Sequence, residues 1–144
     1  MRRKYRLAPL FFLCALAIAA ENAVMSIREV TLRVDLATSA ESQRKGLQGR
    51  QALEANQGLL FVFQTEAFRS FWMKDMAFAI DIFFLDSHGF VVDMKQDFAP
   101  CAAKGPCIPY KSKKKAMYVL EVVAGFARAH GIAEGDRFTL PYGW

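Results

Sequence analysis

The ionisable residues with chemical potential stand where charge is expensive. In Met117 to Val123 (MYVLEVV), Glu121 shares a strand face with Val119 and Val123, while Tyr118, Leu120 and Val122 take the other. A carboxylate between two apolar faces needs a cation, a hydrogen-bonding partner or a raised pKa. Lys74 follows Phe71-Trp72-Met73 and, in strand geometry, falls on the side of Trp72. Asp81 introduces Ile82-Phe83-Phe84-Leu85, and Arg44 and Arg50 bracket Gly46-Leu47. The economical expectation is that these charges meet one another. Such a cluster is either a structural salt-bridge network that sets strand register or a polar site beside the Trp72 ring. The second would suit an anionic or sugar-like ligand. With Asp81 or Glu121 titrating near neutrality, it would also suit acid–base chemistry.

Other chemistries find little support. No Gly-x-Ser-x-Gly, His-Glu-x-x-His, phosphate loop or dinucleotide fingerprint is present, so no cofactor and no metal are expected. His88 falls in a turn and His130 at a helix end, both surface positions. Met73 and Met76 flank Lys74-Asp75 but lie three apart, which on a strand puts them on opposite faces, and core packing is expected of them. Lys111 to Lys115 (KSKKK) is the strongest basic run and reads as a solvated loop, able to touch an anionic envelope surface.

The net charge of +5 does not point to nucleic acid. Four basic residues (Arg2, Arg3, Lys4, Arg6) precede the uncharged apolar run Leu7 to Ala20, which is shorter than the roughly 20 residues that span a bilayer. The run ends in Ala17-Ile18-Ala19, with small residues where a signal peptidase cuts. Residues 1–19 are therefore expected to be a cleavable secretory signal, and residues 20–144 a single β-rich domain, periplasmic or secreted, without stable membrane insertion after cleavage. The remaining chain has a net charge of only +1, so no nucleic-acid partner is expected. Cys101 and Cys107 are then the last two cysteines, and in an oxidising compartment an even pair at short spacing is most simply a disulfide.

The elements that must position these residues are legible as periods and punctuation. Glu29 to Leu36 alternates strictly and predicts a half-wet strand. Thr38-Ser39-Ala40-Glu41 offers a capping box for a short helix that Gly46 or Gly49 can end. Gly58 to Phe63, Phe71 to Met73, Asp81 to Leu85, Phe90 to Met94, Met117 to Val123 and Arg137 to Leu140 are further strands. Ala124 to His130 makes a second helix closed by Gly131. The fold class is mostly β, a compact sandwich or barrel-like single domain with two short helices. Asp97 to Lys115 has no periodicity and reads as an ordered loop, either a lid over a pocket or a pinned surface crossover.

Several of these motifs occur together in a known pattern. Arg44-Lys45-Gly46-Leu47…Arg50, Gly58-Leu59-Leu60-Phe61, Phe71-Trp72-Met73-Lys74, Asp81 to Asp86, Tyr118-Val119-Leu120-Glu121…Ala124-Gly125 and Gly135-Asp136 resemble the bacterial and archaeal family called domain of unknown function 192. The resemblance covers about Val30 to Leu140. It implies a compact, mostly-β, sandwich-like fold. Members often carry an export signal and a Cys pair before a Pro-Tyr element, which Cys107-Ile108-Pro109-Tyr110 matches. No biochemical function is established for the family. The chain departs from the pattern at Gln48, where Met is usual, at Asp75-Met76, where Asn-Thr is usual, and at Ala79-Ile80, where a Pro is expected before Asp81. Trp72, Lys74, Asp81 and Glu121 match.

The functional expectation is an exported, monomeric, non-enzymatic module that binds a small molecule or an envelope component through Arg44, Arg50, Trp72, Lys74, Asp81 and Glu121, beneath the Asp97–Lys115 loop. The alternatives are a small periplasmic enzyme using the Lys/Asp/Glu cluster and a purely structural envelope protein.

Overall fold

The computed structural model describes residues 22–141. The expected signal at 1–19 lies outside the described residues. The elements are β1 (Asn22–Ile27), β2 (Val30–Ala37), α1 (Ala40–Lys45), β3 (Gln57–Ala67), β4 (Ser70–Phe71), β5 (Ile80–Leu85), β6 (Val91–Phe98), β7 (Tyr110–Lys111), β8 (Ala116–Val123) and α2 (Phe126–His130). The protein is mostly β, with two sheets and two short helices.

The main sheet runs β1-β2-β3-β8-β5-β6, and β4 and β7 form a separate two-stranded ribbon. Only β2 and β3 pair in parallel, joined by the crossover that contains α1; every other pairing is antiparallel. β1 and β6 are the outer strands, so the sheet stays open rather than closing into a barrel. The expected last strand at 137–140 is reduced to two isolated bridges, Ser26 with Thr139 and Phe90 with Arg137. The segment exchanges backbone hydrogen bonds with Gly89 and Val91 at one margin of the sheet, through Gly135, Asp136 and Phe138, and with Ser26 of β1 at the other through Thr139.

Strand β8 lies in the middle and is apolar on both faces, as its sequence requires. One face joins a core of Met25, Leu32, Leu60, Phe83, Leu120 and Phe138, covered by α2 and the C-terminal segment. The other joins Leu47, Leu59, Phe61, Ile82, Phe84 and Val119. The ribbon packs on this second face in a sandwich-like layer, Phe71 meeting Phe61 edge-on at 4.8 Å and Tyr110 meeting Phe84 at 5.8 Å.

Helix α1 starts one residue later than the Thr38 capping pattern predicts. Ser39 is the N-cap, accepting from the Ser42 amide at 3.1 Å, and the Ser42 hydroxyl returns to the Ser39 amide at 3.0 Å. A serine thus does the work expected of Glu41. Gly46 ends the helix at φ 51°, a left-handed value that favours glycine. The Gln43 side-chain amide donates to Ala37 O at 3.2 Å and Val62 O at 2.8 Å, holding the helix over the ends of β2 and β3.

Candidate functional site

The second face of the sheet carries a cavity of about 690 Å³. Its apolar walls include Phe61 and Phe63 from β3, Phe71 from β4 and Trp72 just beyond it. Arg44 and Lys45 reach it from the last turn of α1, and Lys74 and Asp75 from the turn after Trp72. Glu121 of β8 also lines it. On this strand Glu121 pairs with Leu59 of β3 and Ile82 of β5, so its carboxyl rises between apolar neighbours.

Glu121 is 5% exposed, and its Oε2 is buried without a hydrogen-bond partner. Burial drives its pKa up to about 8, with the Arg50 charge opposing the rise. The floor of the cavity therefore holds a largely uncharged carboxylic acid at neutral pH.

Trp72 is 50% exposed, and the Lys74 ammonium stands 5.4 Å from its ring centroid, a cation–π distance. Met73 between them is buried, as the strand-like alternation of the two sides requires. Asp75 takes φ 57°. The left-handed region is the one that Asn and Asp enter most readily, which explains why Asp can stand where the resembled pattern has Asn. Among the described residues, Arg44, Lys45 and Lys74 have no ion-pair partner. Arg69 is different. Its guanidinium stacks on Phe63 at 3.7 Å and donates to Ala116 O and to Thr65 O, filling the irregularity where the β3–β8 register slips between Val62 and Ala67.

Of the six residues singled out from sequence, four surround this cavity: Arg44, Trp72, Lys74 and Glu121. Two do not, and the expected meeting of all the charges is corrected accordingly. Asp81 pairs with Val122, one position from Glu121, and therefore points to the opposite face of the sheet. It is fully buried there, accepting from the Asp97 amide at 2.8 Å and the Ala127 amide at 2.9 Å. Arg50 pairs with Asp35 at 2.6 Å beside a smaller cavity of about 340 Å³ near β1 and β2.

The Asp97–Lys115 loop also differs from a lid. None of its residues lines the larger cavity. It contains the Cys101–Cys107 disulfide, with the Cys101 amide bonded to Met73 O at 3.3 Å, and it supplies β7 to the ribbon. It is thus tied to the backbone next to Trp72.

A buried carboxylate missed in the sequence anchors this loop. Asp93 of β6 is fully buried, accepting from Tyr110 Oη at 3.0 Å and from the Lys113 amide at 2.8 Å. Burial, with the Asp93 hydrogen bond and charge, pushes the Tyr110 phenol up to about 12. The signal was present, a lone Asp inside Val91-Val92-Asp93-Met94, but its partners lie about twenty residues away in an aperiodic stretch. The cavity aromatics Phe61, Phe63 and Phe71 were legible only as core.

The family model DUF192, an uncharacterized ACR, matches residues 23–140, nearly all of the described chain. The chain belongs to the domain of unknown function 192 family. Two solved structures resemble this family member. One is a Sinorhizobium meliloti 1021 protein described provisionally as a transcription regulator: 26% identity, TM-score 0.73, covering 82% of this chain and 92% of that one. The other is a protein of unknown function from Novosphingobium aromaticivorans DSM 12444, at 22% identity and TM-score 0.77, covering 87% of this chain and 89% of that one. The second likeness is one of fold alone. No curated protein matches this member of the domain of unknown function 192 family. Among its described residues no helix is long and apolar enough to cross a membrane, and no cluster of His, Cys, Asp or Glu is disposed to hold a metal ion.

Proposed function

We propose that this protein is an exported, non-enzymatic module that binds a small molecule in the cavity between α1, the β4 edge and strand β8. The observation that carries the reading is Glu121: a buried carboxyl with an unpartnered oxygen, lining a cavity large enough for an organic ligand. A purely structural cluster would seal and pair its charges. Here Arg44, Lys45 and Lys74 are left without ion-pair partners among the described residues.

One observation favours the enzymatic alternative, since a carboxyl with a pKa near 8 in a concave site suits a general acid. That alternative needs a second reacting group beside it. Asp81, the natural partner by sequence, is on the far side of the sheet, which favours binding over catalysis. A transcriptional role, as described provisionally for the S. meliloti protein, draws little on the basic run, because residues 20–144 carry a net charge of only +1. Export is part of the proposal, and the Cys101–Cys107 disulfide is compatible with it.

Differential scanning fluorimetry against a panel of sugars, organic acids and amines tests the reading. A stabilising compound is expected whose effect disappears in Trp72→Ala and Lys74→Ala, both at half-exposed or exposed positions where replacement leaves the fold intact. A panel with no stabiliser, or one whose effect survives both substitutions, overturns it.

A further inference from the structure

The chemistry of the cavity narrows the class of ligand, granted the binding reading above. Its polar groups are sorted by depth. Arg44, Lys45 and Lys74 are charged and belong to exposed or half-buried segments, against a single lining carboxylate there, Asp75. Glu121 is the buried group, enclosed by Leu59, Ile82 and Val119. Between these levels the lining is aromatic: Phe61, Phe63, Phe71 and Trp72. A cationic ligand would meet three like charges on entry, and a small polar ligand would leave the aromatic walls unused. An anion with a flat apolar body satisfies both levels.

We propose that the cavity selects aromatic organic anions, the acidic group held by Arg44 and Lys74, the ring body on the phenylalanines and Trp72, and the buried carboxyl of Glu121 beneath it. Ionised Glu121 would place a second negative charge in the same dry enclosure and repel the ligand. The charged groups facing Glu121 are few: Arg44 and Lys45 from α1, Arg69 and Lys74 with Asp75 from the β4 side, and Arg50, whose charge is shared with Asp35. No histidine lines the cavity. Occupancy is thereby coupled to one proton on one residue.

A matched pair of fluorescent probes tests this on the whole mature protein. 8-Anilinonaphthalene-1-sulfonate carries a permanent negative charge, and N-phenyl-1-naphthylamine is the same ring system without it. Fluorescence titration at pH 6.5 should show the sulfonate bound, and Arg44→Ala with Lys74→Ala should lower the sulfonate-to-amine affinity ratio by about tenfold. Raising the pH to 9 should weaken sulfonate binding about tenfold in the wild type, as Glu121 ionises through about 8. Glu121→Gln, a neutral isostere, should bind at both pH values alike. If the neutral probe binds through Trp72 but the ratio ignores Arg44 and Lys74, the anion selectivity is wrong and the binding module survives. If the pH effect persists in Glu121→Gln, the proton assignment is wrong. Should neither probe respond to Trp72→Ala, with near-ultraviolet circular dichroism showing a native fold, both readings fall together.

Discussion

Glu121 sets the energetics at the level of the single residue. Its folded-state pKa stands at about 8, above that of an ordinary glutamate, so the native state holds a proton that the unfolded chain releases. The sign follows from linkage. The contribution is fully present below the unfolded pKa, is lost as pH rises toward the folded value, and changes no further above it. Glu121→Gln removes the penalty of ionisation, and should therefore stabilise the protein by about 3 kcal/mol more at pH 7.5 than at pH 4.5, measured by urea denaturation of both proteins. A constant difference between the two proteins across that range would contradict the buried, unpartnered acid. Asp81 behaves in the opposite way, because each of its oxygens accepts a backbone amide. Asp81→Asn should cost about 1–3 kcal/mol by turning one acceptor into a donor facing a donor. Being on the other face, it should leave probe binding unchanged. Both carboxylates were legible as misplaced charges in apolar strands. That they point apart was also implicit in strand parity, but it needed the register of β5 against β8, which no single strand encodes.

At the level of elements, the strands with strong periodicity and clear punctuation were readable: β2, β3, β5, β8 and the turn at Asp86 to Gly89. The turn closes as its composition requires, with the Gly89 amide on Asp86 O at 3.1 Å and the Asp86 carboxylate taking the His88 and Phe90 amides. What escaped sequence reading depends on partners far away. β7 is two residues long beside Pro109, and it exists because Phe71 and Ser70 are there to pair with it. β1 lacks a strict alternation, and β2 recruits it. Gly58 shows how closely these elements approach. A Cβ at that position would meet the Glu121 carbonyl oxygen at 3.0 Å and Val34 at 3.2 Å. Gly58→Ala should cost about 1–3 kcal/mol, readable as a lowered Tm, because the obstacle is backbone between two paired strands. Ser39→Ala should cost about 1 kcal/mol by uncapping α1, the element that presents Arg44.

For the whole molecule, the sheet acts as a partition. One side has the cavity, the ribbon and the disulfide loop; the other side has α2 and the C-terminal segment. Reduction of Cys101–Cys107 should lower stability by about 2 kcal/mol through loop-closure entropy. It should also weaken sulfonate binding, because the Cys101 amide steadies Met73 next to Trp72. Equal probe affinity before and after reduction would show that the loop serves stability alone. On the opposite side, residues 137–139 clip both outer margins of the sheet, and Phe138 between the two bridges is sealed against Phe83 at 5.3 Å. The order of synthesis gives this clasp a further meaning. The ribosome must deliver nearly all of the described chain before the two rims can be joined, so nascent chains stalled short of Phe138 should stay open to protease, and native resistance should arrive late and all at once.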